Sequence, residues 1–136
     1  MANYNTQFAC KLDVGSAEKV ARALDLYRSF DAELNEQDGC AGFAIEAAPD
    51  SDATSIILTD DGQGDVENVI GFVLRCAHAF DLMGRWGFTF AHTCSRARLD
   101  GFGGGGQVLD LGRRESLGWM DCDHWLAERI AEESLP

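Results

Sequence analysis

Two stretches of this 136-residue chain carry apolar residues at spacings of three and four, along one side only. The first runs through Val20, Ala23, Leu24, Tyr27, Phe30 and Leu34, the second through Val66, Val69, Ile70, Val73, Ala77 and Phe80. That is the helical period, and a single apolar stripe asks for one covering layer rather than burial all round. Ser16 precedes the first stretch as an N-cap, with Glu18 in the first turn, and Asp65 precedes the second. Asp38-Gly39 and Gly84 are the expected stops.

The covering layer is legible between these helices. Thr6, Phe8, Cys10, Leu12 and Val14 alternate with Gln7, Ala9, Lys11 and Asp13, which reads as one half-buried strand. Phe43, Ile45 and Ala47, a turn at Pro49-Asp50-Ser51-Asp52, and the β-rich run Thr54 to Thr59 read as a hairpin. Trp86, Phe88, Phe90, His92 and Cys94 share one face of a further strand. Segments 107–111 and 117–120 are also expected to be β, and Asp121 or Asp123 caps a last helix bearing Trp125, Leu126 and Ile130. The expected fold is α+β in βαββαββα order, with an antiparallel sheet and two helices on one face (ferredoxin-like, or split βαβ). A C-terminal hairpin and helix complete it. Length and the lack of a linker point to a single domain, 1–136.

Charge is the strongest compositional signal. The formal net charge is -12, and between Arg28 and Arg75 eleven acids occur without one Lys or Arg. From Arg85 to Arg114 the balance reverses, with five arginines against Asp100 and Asp110. A nucleic-acid binder draws much of its affinity from basic contacts to phosphate, so the whole-chain charge argues against direct binding to DNA or RNA. The acidic part would instead attract a basic surface. No apolar run reaches the roughly 20 residues that cross a bilayer. The start of the chain lacks the basic and apolar regions of a secretory leader, and five irregularly spaced cysteines without a Cys-x-x-Cys pair suggest reduced thiols. The expected location is the cytoplasm, with no membrane partner.

The chemical motifs mostly have structural explanations. Gly103 to Gly106 is not followed by the Lys-Ser/Thr of a phosphate loop or by a helix, so the run reads as backbone freedom in a long hairpin connection. Arg96, Arg98 and Phe102 beside it are residue types that anchor protein contacts. Cys76 and His78 lie two apart on a helix and diverge, whereas His92 and Cys94 share a strand face with three aromatics. A core histidine and a buried thiol account for the latter pair. A zinc site or a Cys94 nucleophile with a His92 base is the rival reading. Asp121-Cys122-Asp123-His124 reads as helix capping. The loop from Asp60 to Asp65 is not a calcium loop, because Gly62, Gly64 and Gly71 stand where ligands are needed. No cofactor or metal is expected.

Arg85-Trp86-Gly87-Phe88-Thr89-Phe90, Thr93-Cys94-Ser95-Arg96 and Leu99-Asp100-Gly101-Phe102-Gly103-Gly104-Gly105 resemble small acidic accessory proteins of proteobacterial plasmids and phages. That group carries no assigned activity, so the resemblance implies a setting and not a reaction. Small acidic proteins of mobile elements often inhibit host nucleases or defence complexes, some by imitating nucleic-acid charge. The expectation is therefore a non-enzymatic interaction module, an inhibitor of anti-CRISPR or anti-restriction type, facing the basic surface of a nucleic-acid-binding protein. Its contact residues would be Asp50, Asp52, Asp60, Asp61, Asp65 and Glu67, with Arg96, Arg98, Phe102, Arg113 and Arg114 on the hairpin. Three alternatives stay open: a small enzyme or metal module using His92 and Cys94, nucleic-acid binding through the hairpin, and homodimerisation.

Overall fold

Phe8 divides the first alternating stretch. The computed structural model describes residues 4–133, and in it β1 (Tyr4–Gln7) and β2 (Ala9–Asp13) belong to different sheets. The single strand expected from the alternation is thus two strands. Phe8 is held at the seam because its N–H donates to Asp60 Oδ1 at 2.9 Å and its carbonyl accepts from Asp60 N at 3.2 Å. Its buried ring meets Phe88 edge-on at 6.0 Å. The Phe8 carbonyl still bonds the backbone of β4, but its N–H is given to the Asp60 carboxylate and is unavailable to a strand, so the chain changes sheets there.

The remaining elements are α1 (Ala17–Asn35), β3 (Phe43–Ala47), a 3-10 turn (Asp50–Asp52), β4 (Ser55–Asp60), α2 (Val66–Phe80), β5 (Arg85–Cys94), β6 (Gly103–Asp110), β7 (Glu115–Asp121) and α3 (Cys122–Glu133). The sheets run β1-β5-β6-β7 and β2-β4-β3, antiparallel throughout. Reading β1 and β2 as one broken central strand, the order β5, β1/β2, β4, β3 is that of a split βαβ unit, with β6 and β7 added beyond β5. The fold is α+β, as the periodicities indicate.

Both expected N-caps form: Ser16 Oγ accepts from Lys19 N at 3.1 Å and Asp65 Oδ1 from Asn68 N at 3.0 Å. The end of α2 is not Gly84 but Asp81, which turns left-handed at φ 52°. Aspartate tolerates that conformation better than most side chains do. Gly84, at φ 90°, makes the turn into β5 instead.

The core draws on both long helices and both sheets. Tyr27, Phe30, Phe43 and Phe72 pack ring against ring at 5.3–6.2 Å. Leu12, Ile56 and Leu58 lie beneath them from the three-stranded sheet, and Phe88 and Leu109 enter from the four-stranded one. α2 buries seven side chains.

The glycine run lies in β6, not in a connection. Gly104 has φ 148°, and a Cβ there would stand 2.4 Å from Phe90 O; at Gly105 it would stand 1.9 Å from Met120 O. These glycines let β5, β6 and β7 approach more closely than side chains allow, so close backbone approach is met and only the expected location is corrected. Among the described residues, no helix is long and apolar enough to cross a membrane.

Candidate functional site: an acidic end and an apolar arm

The ladders sort the connections into two ends. At one end lie the finishes of β4 and β5 and the starts of β3 and β6; at the other lie the β3–β4, α2–β5 and β6–β7 connections. Asp60, Asp61, Asp65 and Glu67 fall at the first end, and Asp50 and Asp52 at the second. The acidic residues singled out in the sequence therefore do not form one patch.

At the first end the structure adds two acids that sequence distance conceals. Asn68 Nδ2 donates to the carbonyls of Cys40 and Ala41 at 3.2 and 3.1 Å, and Asp65 N donates to Gly42 O at 3.3 Å. These bonds stitch the segment after α1, with Glu36 and Asp38, to the loop from Asp60 to Glu67. Gly42 permits the contact, since a Cβ there would come within 2.7 Å of Asp65 Cβ. The carboxylates that bond here take neutral donors. Asp60 accepts from Phe8 N and Gly62 N, Asp61 from Gln63 N, and Asp65 from Asn68 N. None of Glu36, Asp38, Asp60, Asp61, Asp65 and Glu67 forms a salt bridge with a described residue. The negative field reaches inward: burial raises the Tyr27 phenol above its ordinary value, and Asp31 and Asp61 add to that.

At the opposite end ion pairs offset part of the charge. Asp52 pairs with Lys11 and accepts from Ser55 Oγ at 3.1 Å, and the hydrogen bond from Lys11 holds its carboxyl below the usual range. Arg114 reaches Asp81 at 3.3 Å and Arg113 approaches Glu115 at 3.8 Å.

The arginines flanking the glycines separate in the same way. Arg96 and Arg98 sit with exposed Phe102 in the β5–β6 connection, which Tyr4 ties down by donating to Asp100 Oδ1 at 3.3 Å. Arg113 and Arg114 lie beyond the far end of β6, about 26 Å away along eight strand residues. The four do not converge into one phosphate-binding patch.

Cys76 and His78 diverge on α2, whereas His92 and Cys94 share β5 but are each only partly buried, not the core histidine and buried thiol expected. Cys76 is buried and its thiol is pushed up to about 12 by burial, while His78 is exposed. Cys10 is likewise raised to about 11. His92 Nδ1 lies 2.9 Å from Thr6 Oγ1, and the ring packs edge-on to Phe90 at 5.4 Å, so the imidazole belongs to the β1–β5 packing. Asp121 caps α3 by accepting from His124 N at 3.1 Å, and His124 pairs with Glu128 one turn on. Among the described residues no three His, Cys, Asp or Glu side chains are grouped to hold a metal.

One surface is not apparent from local sequence patterns. β7 and α3 carry Leu117, Trp119, Met120, Trp125, Leu126 and Ile130, all exposed, with Trp119 at 66% and Ile130 at 60%. No residue of α3 from Cys122 to Glu132 is buried. On the outer face of the same sheet, Gly87, Thr89, Gly106, Val108, Gly118 and Met120 line a shallow groove of about 570 Å³. The available clue was a count of layers: two helices cover one face of a core sheet, which leaves nothing for the added strands. Comparison with protein-family models, with curated proteins and with solved structures gives no match for this chain.

Proposed function

We propose that this chain is a non-enzymatic protein-interaction module whose acidic end engages a basic surface on a nucleic-acid-binding protein. Its action is that of a mobile-element inhibitor or modulator, of anti-CRISPR or anti-restriction type. Glu36, Asp38, Asp60, Asp61, Asp65 and Glu67 act as phosphate-like charges. The observation that supports this reading is that Asp60, Asp61 and Asp65 bond neutral N–H groups and none of the six pairs with a cation among the described residues, so the charge stays available to a partner. Asp50 and Asp52, set at the opposite end, fall outside that contact. Arg96, Arg98 and Phe102 border the acidic end and contribute directional contacts, while Arg113 and Arg114 are too distant to join them.

The test is recovery of a basic partner from the native host by the wild-type chain and by a variant carrying Glu36→Gln, Asp38→Asn, Asp61→Asn and Glu67→Gln. Each replacement keeps an acceptor oxygen, and asparagine suits the positive φ of Asp38. The wild type is expected to capture a nucleic-acid-binding protein, with affinity falling at least roughly tenfold between about 50 and 200 mM salt. The neutralised variant is expected to lose the partner while retaining its melting temperature. Recovery indifferent to both salt and neutralisation overturns the reading.

A further inference from the structure

We infer that the outer edge of β3 is a strand-docking site, where the basic partner of the acidic end adds an extended segment of alternating apolar and basic residues. Such docking presupposes the acidic contact proposed above and specifies how the partner is held. β3 is the terminal strand of its sheet, and no described strand pairs with its outer edge. Its register with β4 runs unbroken from Phe43–Asp60 to Ala47–Ile56, and it contains no Gly, Pro or Lys. A regular open edge of this kind is a template for another strand. The other terminal strands are closed or irregular. Gln63 bridges β1, the Trp86 indole donates to Lys11 O on β2 at 2.8 Å, and β7 meets β6 across a bulge.

Which backbone groups face outward follows from the ladder. Asp60 N turns away from β3 and donates to Phe8 O at 3.2 Å, so Phe43–Asp60 is a non-bonded pair. Bonded and non-bonded pairs alternate, and Ala48 N keeps that phase by donating to Ser55 O at 3.0 Å. Ala44 and Glu46 therefore bond β4, while Phe43, Ile45 and Ala47 turn N–H and C=O outward. The Phe43 carbonyl already accepts from the Tyr27 hydroxyl. The outward groups of Ile45 and Ala47 have no partner among the described residues.

Charge decides the occupant. Glu46 is exposed in mid-strand and forms no salt bridge with a described residue. β3 starts at the acidic end, where Phe43 lies opposite Asp60. Burial raises the Tyr27 phenol and the Asp31 and Asp61 charges raise it further, so the negative field reaches the start of the edge. Lys11, on the same sheet face as Glu46, stands two strands away, about 10 Å, and is paired with Asp52. A second copy is a poor occupant, since two β3 edges meeting antiparallel would place two Glu46 carboxylates on one face of a short ladder. A partner strand with basic residues on the Glu46 face meets opposite charge instead. Its alternate residues then fall on the helix side, beside Ile45, which packs against the core.

The test uses the full chain and two synthetic peptides of about eight residues and equal charge, one alternating Lys and Val, the other Lys and Pro. Proline has no N–H to give a ladder. In calorimetric titration at about 50 mM salt, the Lys-Val peptide is expected to bind at least roughly tenfold more tightly than the Lys-Pro peptide. By NMR it should slow amide exchange of Ile45 and Ala47 by a similar factor. Ala47→Pro removes an outward N–H and no charge, a change an edge strand tolerates, and should bring the Lys-Val peptide down to the Lys-Pro level. Glu46→Lys, at an exposed position, should weaken the Lys-Val peptide roughly tenfold and serves as the check if Ala47→Pro alters circular dichroism. Equal binding of the two peptides, or Ile45 and Ala47 amides that stay unprotected, overturns the inference. The two readings fail separately. A native partner that Ala47→Pro retains and the four-site variant loses overturns strand docking alone. An edge that takes the Lys-Val peptide, in a chain that recovers no basic protein from its host, overturns only the proposed function.

Discussion

α2 and α3 are both amphipathic helices that begin at an aspartate cap, yet α2 buries seven side chains and α3 buries none of those described. Their sequences explain little of that difference, because Trp125, Leu126 and Ile130 are as apolar as anything in α2. The difference is one of position. α2 packs on a sheet face that α1 shares, whereas α3 follows two strands added beyond that layer. An apolar stripe therefore signals a need for cover without showing that the chain itself supplies it.

The two helices should differ most when a core ring is removed. Phe72→Ala removes a fully buried ring from the cluster of Tyr27, Phe30 and Phe43 and is expected to cost about 3–5 kcal/mol by urea unfolding. Trp125→Ala, measured on dilute protein, should stay within about 0.5 kcal/mol of wild type. Equal losses at the two sites would show that α3 is packed within its own chain.

Within the arm, Gly105→Ala drives a methyl against Met120 O, which lies 1.9 Å from the position it must take. Strands β6 and β7 would have to part, at an expected cost of about 1–3 kcal/mol. Gly118→Ala meets nothing within 4 Å and should be near neutral. Thermal melts of the two variants show whether the arm is tightly paired although its faces are bare.

Removing a cap is a smaller change. Asp65→Ala strips the N–H of Asn68 of its acceptor and should lower stability by about 1 kcal/mol. Asp121→Ala, at the start of α3, should leave urea unfolding of the dilute chain unchanged and reduce only helical circular dichroism.

The finest discrimination comes from the thiols. Exposed Cys40 and Cys122 should react at once with a thiol reagent in the native state, while buried Cys76 reacts only on unfolding. The ordinary value of the Cys76 thiol is 9.0 and burial raises it to about 12 in the folded chain. Its contribution to stability is therefore complete below about pH 9 and is lost as pH rises toward 12. Alkaline unfolding of Cys76→Ala should fall less steeply over that window. An identical slope would mean that the thiol is not buried as described.

Much of the fold was readable because its signals are local. Caps act within three residues, and both Ser16 and Asp65 bond where their positions implied. The alternation through Thr6, Phe8, Leu12 and Val14 correctly marks one inward face. It could not reveal the break at Phe8, which depends on Asp60, 52 residues away. The glycine run signals close backbone approach but not its place, since the reasons for Gly104 and Gly105 are the carbonyls of Phe90 and Met120 on neighbouring strands. The charge run was visible as composition. Which carboxylates gather was not, because Asn68 and Gly42 join segments far apart in the chain.

The sequence alone settles the α+β class, the two long helices with their N-caps, and the excess of negative charge. Each of these rests on period, on neighbouring residues or on a sum along the chain. Tertiary structure decided that one strand is two, that four arginines part to opposite ends, and that an acidic end and a bare apolar arm lie on different edges of the molecule. Those outcomes turn on which backbone groups are already bonded and which faces are already covered, and only the packed chain defines either.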